Sequence, residues 1–173
     1  SCGEATHEGD PQPGVSAACE PADWQRGVGL DGLASLCCEI ADALVRDGAD
    51  GTRASAQQHA AWPMPGDAAL AASPDGEFPG MMRELSDHLA ELAKANGLEG
   101  QRLAFRDLSG IMTKLPRRYG APSSGAWSIF CPMAFDNAGA FWLQREAAVA
   151  NPYHGQEMPR CGWDVEQLPA RNR

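Results

Sequence analysis

No stretch of eighteen apolar residues occurs in this chain, which excludes a membrane-spanning helix. Basic residues are also scarce. Fourteen Lys and Arg face 23 Asp and Glu, a net charge of −9. That balance argues against nucleic acid as a partner, because phosphate recognition needs a basic surface. There is no G-x-S-x-G, no H-E-x-x-H and no phosphate-binding glycine loop, and no pair of carboxylates is singled out by spacing. We therefore expect a binding protein and not an enzyme. Zinc-ribbon spacing is missing too: no C-x-x-C occurs among Cys2, Cys19, Cys37, Cys38, Cys131 and Cys161. Six cysteines in 173 residues are too few for a disulfide scaffold, and the length suits one domain with its own core.

Residues 1–28 lack periodicity and are broken by Pro11, Pro13 and Pro21. They read as a flexible N-terminal tether, leaving 29–173 as the folded domain. Cys2 at the head of such a tether resembles a processed bacterial lipoprotein, and its lipid anchor would be the chain's one contact with a membrane. Helical spacing begins at Asp31, with Leu33, Leu36, Ile40 and Leu44, and stops at Gly48. A second helix is expected over Thr52–Trp62, ended by Pro63, with a proline-rich loop to Gly80. Met81, Leu85, Leu89 and Leu92 form a third stripe, closed by Asn96-Gly97. Leu103, Leu108, Ile111, Met112 and Leu115 form a fourth, expected to stop before Pro116. Short links between amphipathic helices make antiparallel neighbours. The expectation is an all-α fold: an antiparallel four-helix bundle with a loop-rich C-terminal appendage, including a brief strand at Trp127–Phe130 and a two-stranded hairpin at most. Asp136–Gly139 and Asn151–Gly155 read as turns.

The chemistry concentrates in that appendage. Cys131-Pro132-Met133 and Met158-Pro159-Arg160-Cys161 each hold one thiol and one thioether, in mirrored order. A Cys-x-Met pair on extended backbone sends both side chains to one side, and Met-x-x-Cys spans about one turn. The prolines stiffen both segments. Soft sulfur donors favour Cu(I), with Ag(I) as a competitor, over hard cations, and methionine is a poor zinc ligand. The candidate metal ligands are therefore Cys131, Met133, Met158 and Cys161. The alternative is a Cys131–Cys161 disulfide closing a loop of about thirty residues, worth about 3–4 kcal/mol, with both methionines as core. Cys37 and Cys38 point about 100° apart on a helix and so do not both serve one site; each reads as a small buried hydrophobe. Asn151 and Tyr153 read as turn-holding residues. Trp127, Trp142 and Trp163 read as packing around the sulfur segments.

Residues 131–135, Gly139-Ala140, Trp142-Leu143-Gln144, Asn151-Pro152-Tyr153, Gly155, Met158 and Cys161-Gly162 together resemble a bacterial domain family. Its signature is C-P-M-A … W-L … N-P-Y-x-G-x-x-M-x-x-C-G, and its own function is unassigned. The family occurs in cell-envelope proteins and appended to periplasmic adaptor subunits of heavy-metal efflux pumps of the resistance–nodulation–division class. Residues 101–105 with Leu108-Ser109 resemble its last bundle helix, so the likeness spans about residues 30–165. It implies a periplasmic or envelope domain tied to copper homeostasis and heavy-metal resistance, with a copper efflux or copper-enzyme assembly protein as partner. With the Cys131–Cys161 disulfide and no metal, the alternative is a structural or interaction module of a heavy-metal efflux system; a third reading is a thiol oxidoreductase using that cysteine pair. Where the family more often carries an aromatic residue, this chain has His154, a potential imidazole ligand. The chain has no room for the other modules of an efflux adaptor, so a stand-alone protein is expected.

Overall fold

The computed structural model describes residues 28–60, 76–121 and 125–168, with the side chains of 28–30 and 59–60 left aside. The tether expected over 1–28 lies outside these residues except at Val28, which opens the first helix; the anchor position Cys2 also lies outside. The elements are α1 Val28–Val45, α2 Ala49–Ala60, α3 Phe78–Lys94, α4 Gly97–Tyr119, β1 Ala126–Cys131, the one-turn α5 Ala134–Asn137, β2 Ala140–Gln144 and β3 Trp163–Leu168. The three strands form one antiparallel sheet in the order β2-β1-β3. The fold is therefore mixed α/β, which corrects the all-α bundle expected from periodicity.

The sheet escaped the sequence because the apolar–polar alternation of β3, Trp163-Asp164-Val165-Glu166, is only four residues long and breaks at Gln167. Five of its six residues are exposed and only Leu168 is buried. Its place is set by backbone pairing to β1, from Ala126–Leu168 to Phe130–Trp163, with a bulge between Ser128 and Phe130. A bulged, charged strand at a sheet edge also discourages pairing with another chain.

The helices follow from their apolar faces, with shifts of phase. In α3 the buried stripe is Met82, Leu85, Leu89 and Leu92, while Met81 lies only partly in the core. The helix starts at Phe78 and not after Gly80, since Pro79 sits in its first turn, where a missing N–H costs nothing. In α4 the buried face holds Phe105, Leu108, Ile111, Met112 and Leu115, and Leu103 is 47% exposed. α4 also runs through Pro116. The last turn is held by tertiary contacts that outweigh the lost bond. Arg117 donates to the Thr113 carbonyl at 3.3 Å, to Ser128 at 3.1 Å and to Glu166 at 2.6 Å. Tyr119 meets Phe78 edge-on at 5.2 Å.

Leu33, Leu36, Ile40 and Leu44 of α1 join these stripes and Ile129, Trp142 and Leu143 of the sheet in one core. Each such side chain stabilises by roughly 1.5–3 kcal/mol when fully buried. Cys37 and Cys38 belong to that core, at 1% and 5% exposure. Burial pushes the Cys37 thiol well above its ordinary range, with Ser109 partly offsetting it. Cys38 is pushed up to about 11, mainly by burial.

Candidate metal centre

β1 delivers Cys131 as its last residue, fully buried and paired across the sheet with Ala140. The chain then turns sharply. Phe135, Asp136 and Asn137 take φ of +53°, +55° and +68°. Asp and Asn tolerate the left-handed region, but a phenylalanine there is strained, at a cost of about 1–3 kcal/mol. The Phe135 ring is held by Tyr153 at 5.3 Å and by the Arg106 guanidinium at 5.1 Å. At the end of this turn Gly139 has φ +77°, and a Cβ there would lie 2.3 Å from the Phe130 ring.

The loop from Asn151 to Cys161 returns a second set of donors to the same place. The Cys131 and Cys161 sulfurs lie 3.3 Å apart as free thiols. A ring nitrogen of His154 and these two sulfurs all lie within 4.8 Å of one another. His154 is half-buried, yet its Nε2 is shut off from solvent without a hydrogen-bond partner. A buried polar nitrogen left unpaired costs free energy, and a metal ion is a natural partner for it. Cys131, His154 and Cys161 thus form a group that could hold a metal ion, and the chemistry fits: two sulfurs and one imidazole are soft-to-borderline donors with no carboxylate among them.

Removal from water raises the Cys161 thiol above its ordinary value first. The Cys131 thiol adds to the rise through a hydrogen bond and its charge, and the Met133 backbone amide offsets part of it. A metal ion taken up here would have to displace the Cys161 thiol proton.

Asn151 organises the loop. It is fully buried, and its Oδ1 accepts from the amides of Tyr153 at 2.7 Å and His154 at 3.1 Å. Its Nδ2 donates to the Cys161 carbonyl. Its own amide reaches the Pro159 carbonyl at 2.9 Å. One side chain thus ties the backbones of two donors together. Tyr153 donates to the Phe141 carbonyl and packs among Phe105, Phe135 and Trp142. At Gly155, φ is +53° and a Cβ would fall 1.9 Å from Asp47 Oδ1 and 2.3 Å from Arg102. Only glycine lets the loop lie on that ion pair. Arg102 bonds Asp47 at 2.5 Å, the Leu44 carbonyl at 3.2 Å and the Pro152 carbonyl at 2.9 Å, so it joins the end of α1 to the loop. Gly162 is the second close approach: a Cβ would lie 2.8–3.0 Å from Val149, Ile129 and Trp142.

Of the four residues expected as ligands, the fold unites Cys131 and Cys161. Met158 is half-buried, and its carbonyl accepts from the Cys161 amide at 3.2 Å. Met133 is 49% exposed on the turn after Cys131. His154 was not among the four; its signal was the replacement of an aromatic residue by imidazole inside an Asn-Pro turn. Trp142 is fully buried and donates to Gln144 at 3.0 Å, whereas Trp163 is 68% exposed. His88 makes a surface contact with Glu91 at 3.1 Å. No family model, curated protein or solved structure matches this chain.

Proposed function

We propose that this chain is a Cu(I)-binding protein of the bacterial periplasm or envelope, serving as a chaperone, buffer or tolerance factor. In this reading Cys131 and Cys161 are the thiolate ligands and His154 supplies a third donor. Met133 and Met158 are thioether arms on the two turns that carry the thiolates, and Ag(I) competes for the site. The observation that carries the proposal is the convergence of both sulfurs beside an imidazole with a buried, unpaired nitrogen. Mixed sulfur donors select Cu(I) over hard cations. The group binds and turns nothing over, and its delivery partner is a copper efflux or copper-enzyme assembly protein. The resemblance noted above supports the envelope setting, and Cys2 is the proposed point of any lipid anchor.

Two thiolates and an imidazole also suit Zn(II), which would complete its shell with a fourth ligand. Competition for Cu(I) between the reduced protein and a calibrated chelator, with Zn(II) titrated in parallel, decides between them. Cu(I) is expected to bind the tighter, and Cys131→Ser or Cys161→Ser to lose at least about 100-fold in affinity, since the thiolate is the ligand form. Equal Cu(I) affinity in both serine variants would end the reading. X-ray absorption of the copper-loaded protein should show two sulfurs, with nitrogen or further sulfur filling the shell.

A further inference from the structure

The two sulfurs stand at a separation suited to neither of their stable bonded states. A tetrahedral ion with metal–sulfur bonds of 2.3 Å holds its two sulfurs about 3.8 Å apart. A disulfide holds them about 2.05 Å apart. At 3.3 Å the pair needs to open by about 0.5 Å for a metal or close by about 1.2 Å for a disulfide. One sulfur sits at a strand end and the other in a loop, and rotation about χ1 is the motion that either adjustment calls on. The two cysteines also differ in access: Cys131 is fully buried and Cys161 half-buried. That asymmetry fits a reacting thiol backed by a resolving one.

We propose that Cys131 and Cys161 form a reversible dithiol–disulfide couple that excludes the metal when oxidised, its co-reactant being the disulfide of a small thiol such as glutathione. The Cys161 thiolate attacks one glutathione sulfur. A Cys161–glutathione bond forms, the glutathione disulfide breaks, and one glutathione leaves as thiolate. Cys131 then attacks the Cys161 sulfur. The Cys131–Cys161 bond forms, the mixed disulfide breaks, and the second glutathione leaves. The protein pair loses two electrons and two protons, and the glutathione disulfide gains both as two thiols. Oxidation removes both thiolates, and with them the site's capacity for Cu(I). His154 lies beside both sulfurs, but with the thiolates gone only neutral donors remain, the imidazole and the two thioether arms, and they hold the ion far more weakly.

The metal half of this proposal rests on the Cu(I) reading, while the dithiol half rests on the sulfur geometry alone. The test equilibrates metal-free, full-length protein in glutathione redox buffers, traps thiols with an alkylating agent and maps the links by peptide mass spectrometry. That mapping separates a Cys131–Cys161 link from any involving the other cysteines. Cu(I) affinity is then measured on the reduced and oxidised forms. The expected result is a Cys131–Cys161 link that forms in oxidising buffer, reverses in reducing buffer, and lowers Cu(I) affinity at least about 100-fold. Cys131→Ser should retain one glutathione on Cys161, and Cys161→Ser should leave the buried Cys131 unmodified, with circular dichroism checking that each is folded. If no link forms in the wild-type protein while Cu(I) binds tightly, the couple is overturned and the metal reading stands. If the link forms but the reduced protein ignores Cu(I), the metal reading falls and the couple stands. A link that leaves Cu(I) affinity unchanged overturns the exclusion.

Discussion

The helical layer, α1 to α4, and the sulfur-bearing segment, residues 125–168, share a core but order their parts by different physics. In α1, α3 and α4 the order comes from repeated apolar side chains pooled in one core. Many residues share that task. The later segment adds Ile129, Trp142 and Leu143 to that core, but its loop is ordered by single groups that are hard to replace: Asn151, whose side chain bonds two amides of its own turn and the Cys161 carbonyl beyond it, Gly155 and Gly162 at close approaches, and Tyr153 wedged among three rings. Both regions feed the one core, and the loop of the second also sets the geometry of the sulfur pair. Arg102 is the junction, since it binds the end of α1 and the donor loop at once.

The largest contrast should come from a core truncation. Leu89→Ala removes a nearly fully buried side chain from α3 and is expected to cost about 2–5 kcal/mol in denaturant unfolding. Cu(I) affinity of the folded fraction should not change. A coupled loss of affinity would show that the two regions are not separable.

Asn151→Ala tests the other side. It leaves the amides of Tyr153 and His154 and the Cys161 carbonyl without their partner, at a cost of about 1–3 kcal/mol for the buried groups. Its distinguishing mark is a further loss of about 10–100-fold in metal affinity, measured by chelator competition on protein confirmed as folded. A variant with lowered stability and native affinity would reduce Asn151 to a turn residue.

Alkaline pH should weaken the core before it harms the site. Cys37, Cys38 and Tyr153 are all held neutral by burial, their folded values raised above ordinary values of 9.0 for the thiols and 10.0 for the phenol. Above about pH 9 the unfolded chain releases these protons while the folded chain keeps them, so unfolding becomes more favourable. Their stabilisation is complete below that pH and lost as pH rises toward the folded values, with Cys38 at about 11. Thermal melts from pH 7 to 11 should show a steady fall, on the order of 2 kcal/mol from Cys38 alone. Cu(I) affinity should rise over the lower part of that range, because thiol protons compete with the metal. A melt independent of pH would contradict the buried neutral thiols.

The smallest effect should be at the exposed contact between the regions. Arg145 meets Asp42 at 3.1 Å with both side chains nearly half exposed. Arg145→Ala is expected to change stability by less than about 1 kcal/mol and to leave metal binding unaltered. A larger change would mark the Ser35 contacts of Arg145 as a true staple between helix and sheet.

Helices were legible because a stripe of Leu, Ile and Met at helical spacing states its own burial, although the phase slipped at Met81 and Leu103. Pro79 and Pro116 misled the boundaries, since a proline reads as a break whether it sits in a first turn or is overridden by neighbours. Cys131 and Cys161 were legible as a candidate pair because each thiol lies within three residues of a thioether, and both the metal and the disulfide readings required them to meet. β3 was not read as a strand: the alternation Trp163-Asp164-Val165-Glu166 stops at Gln167 and its apolar side chains face solvent, so cross-strand pairing to β1 is what places it. His154 was visible as an unusual residue, but nothing local says that its ring turns toward two sulfurs.

By itself, then, the amino-acid order determined which side chains must leave water and which ones carry soft lone pairs, because both are properties of single residues and their spacing. Tertiary structure alone decided that α1, α4 and the sheet share one core, that a bulged polar strand closes the sheet, and that an imidazole joins the two thiols. Those outcomes depend on distances between residues up to thirty positions apart within the site, and such distances are set by how the whole chain packs.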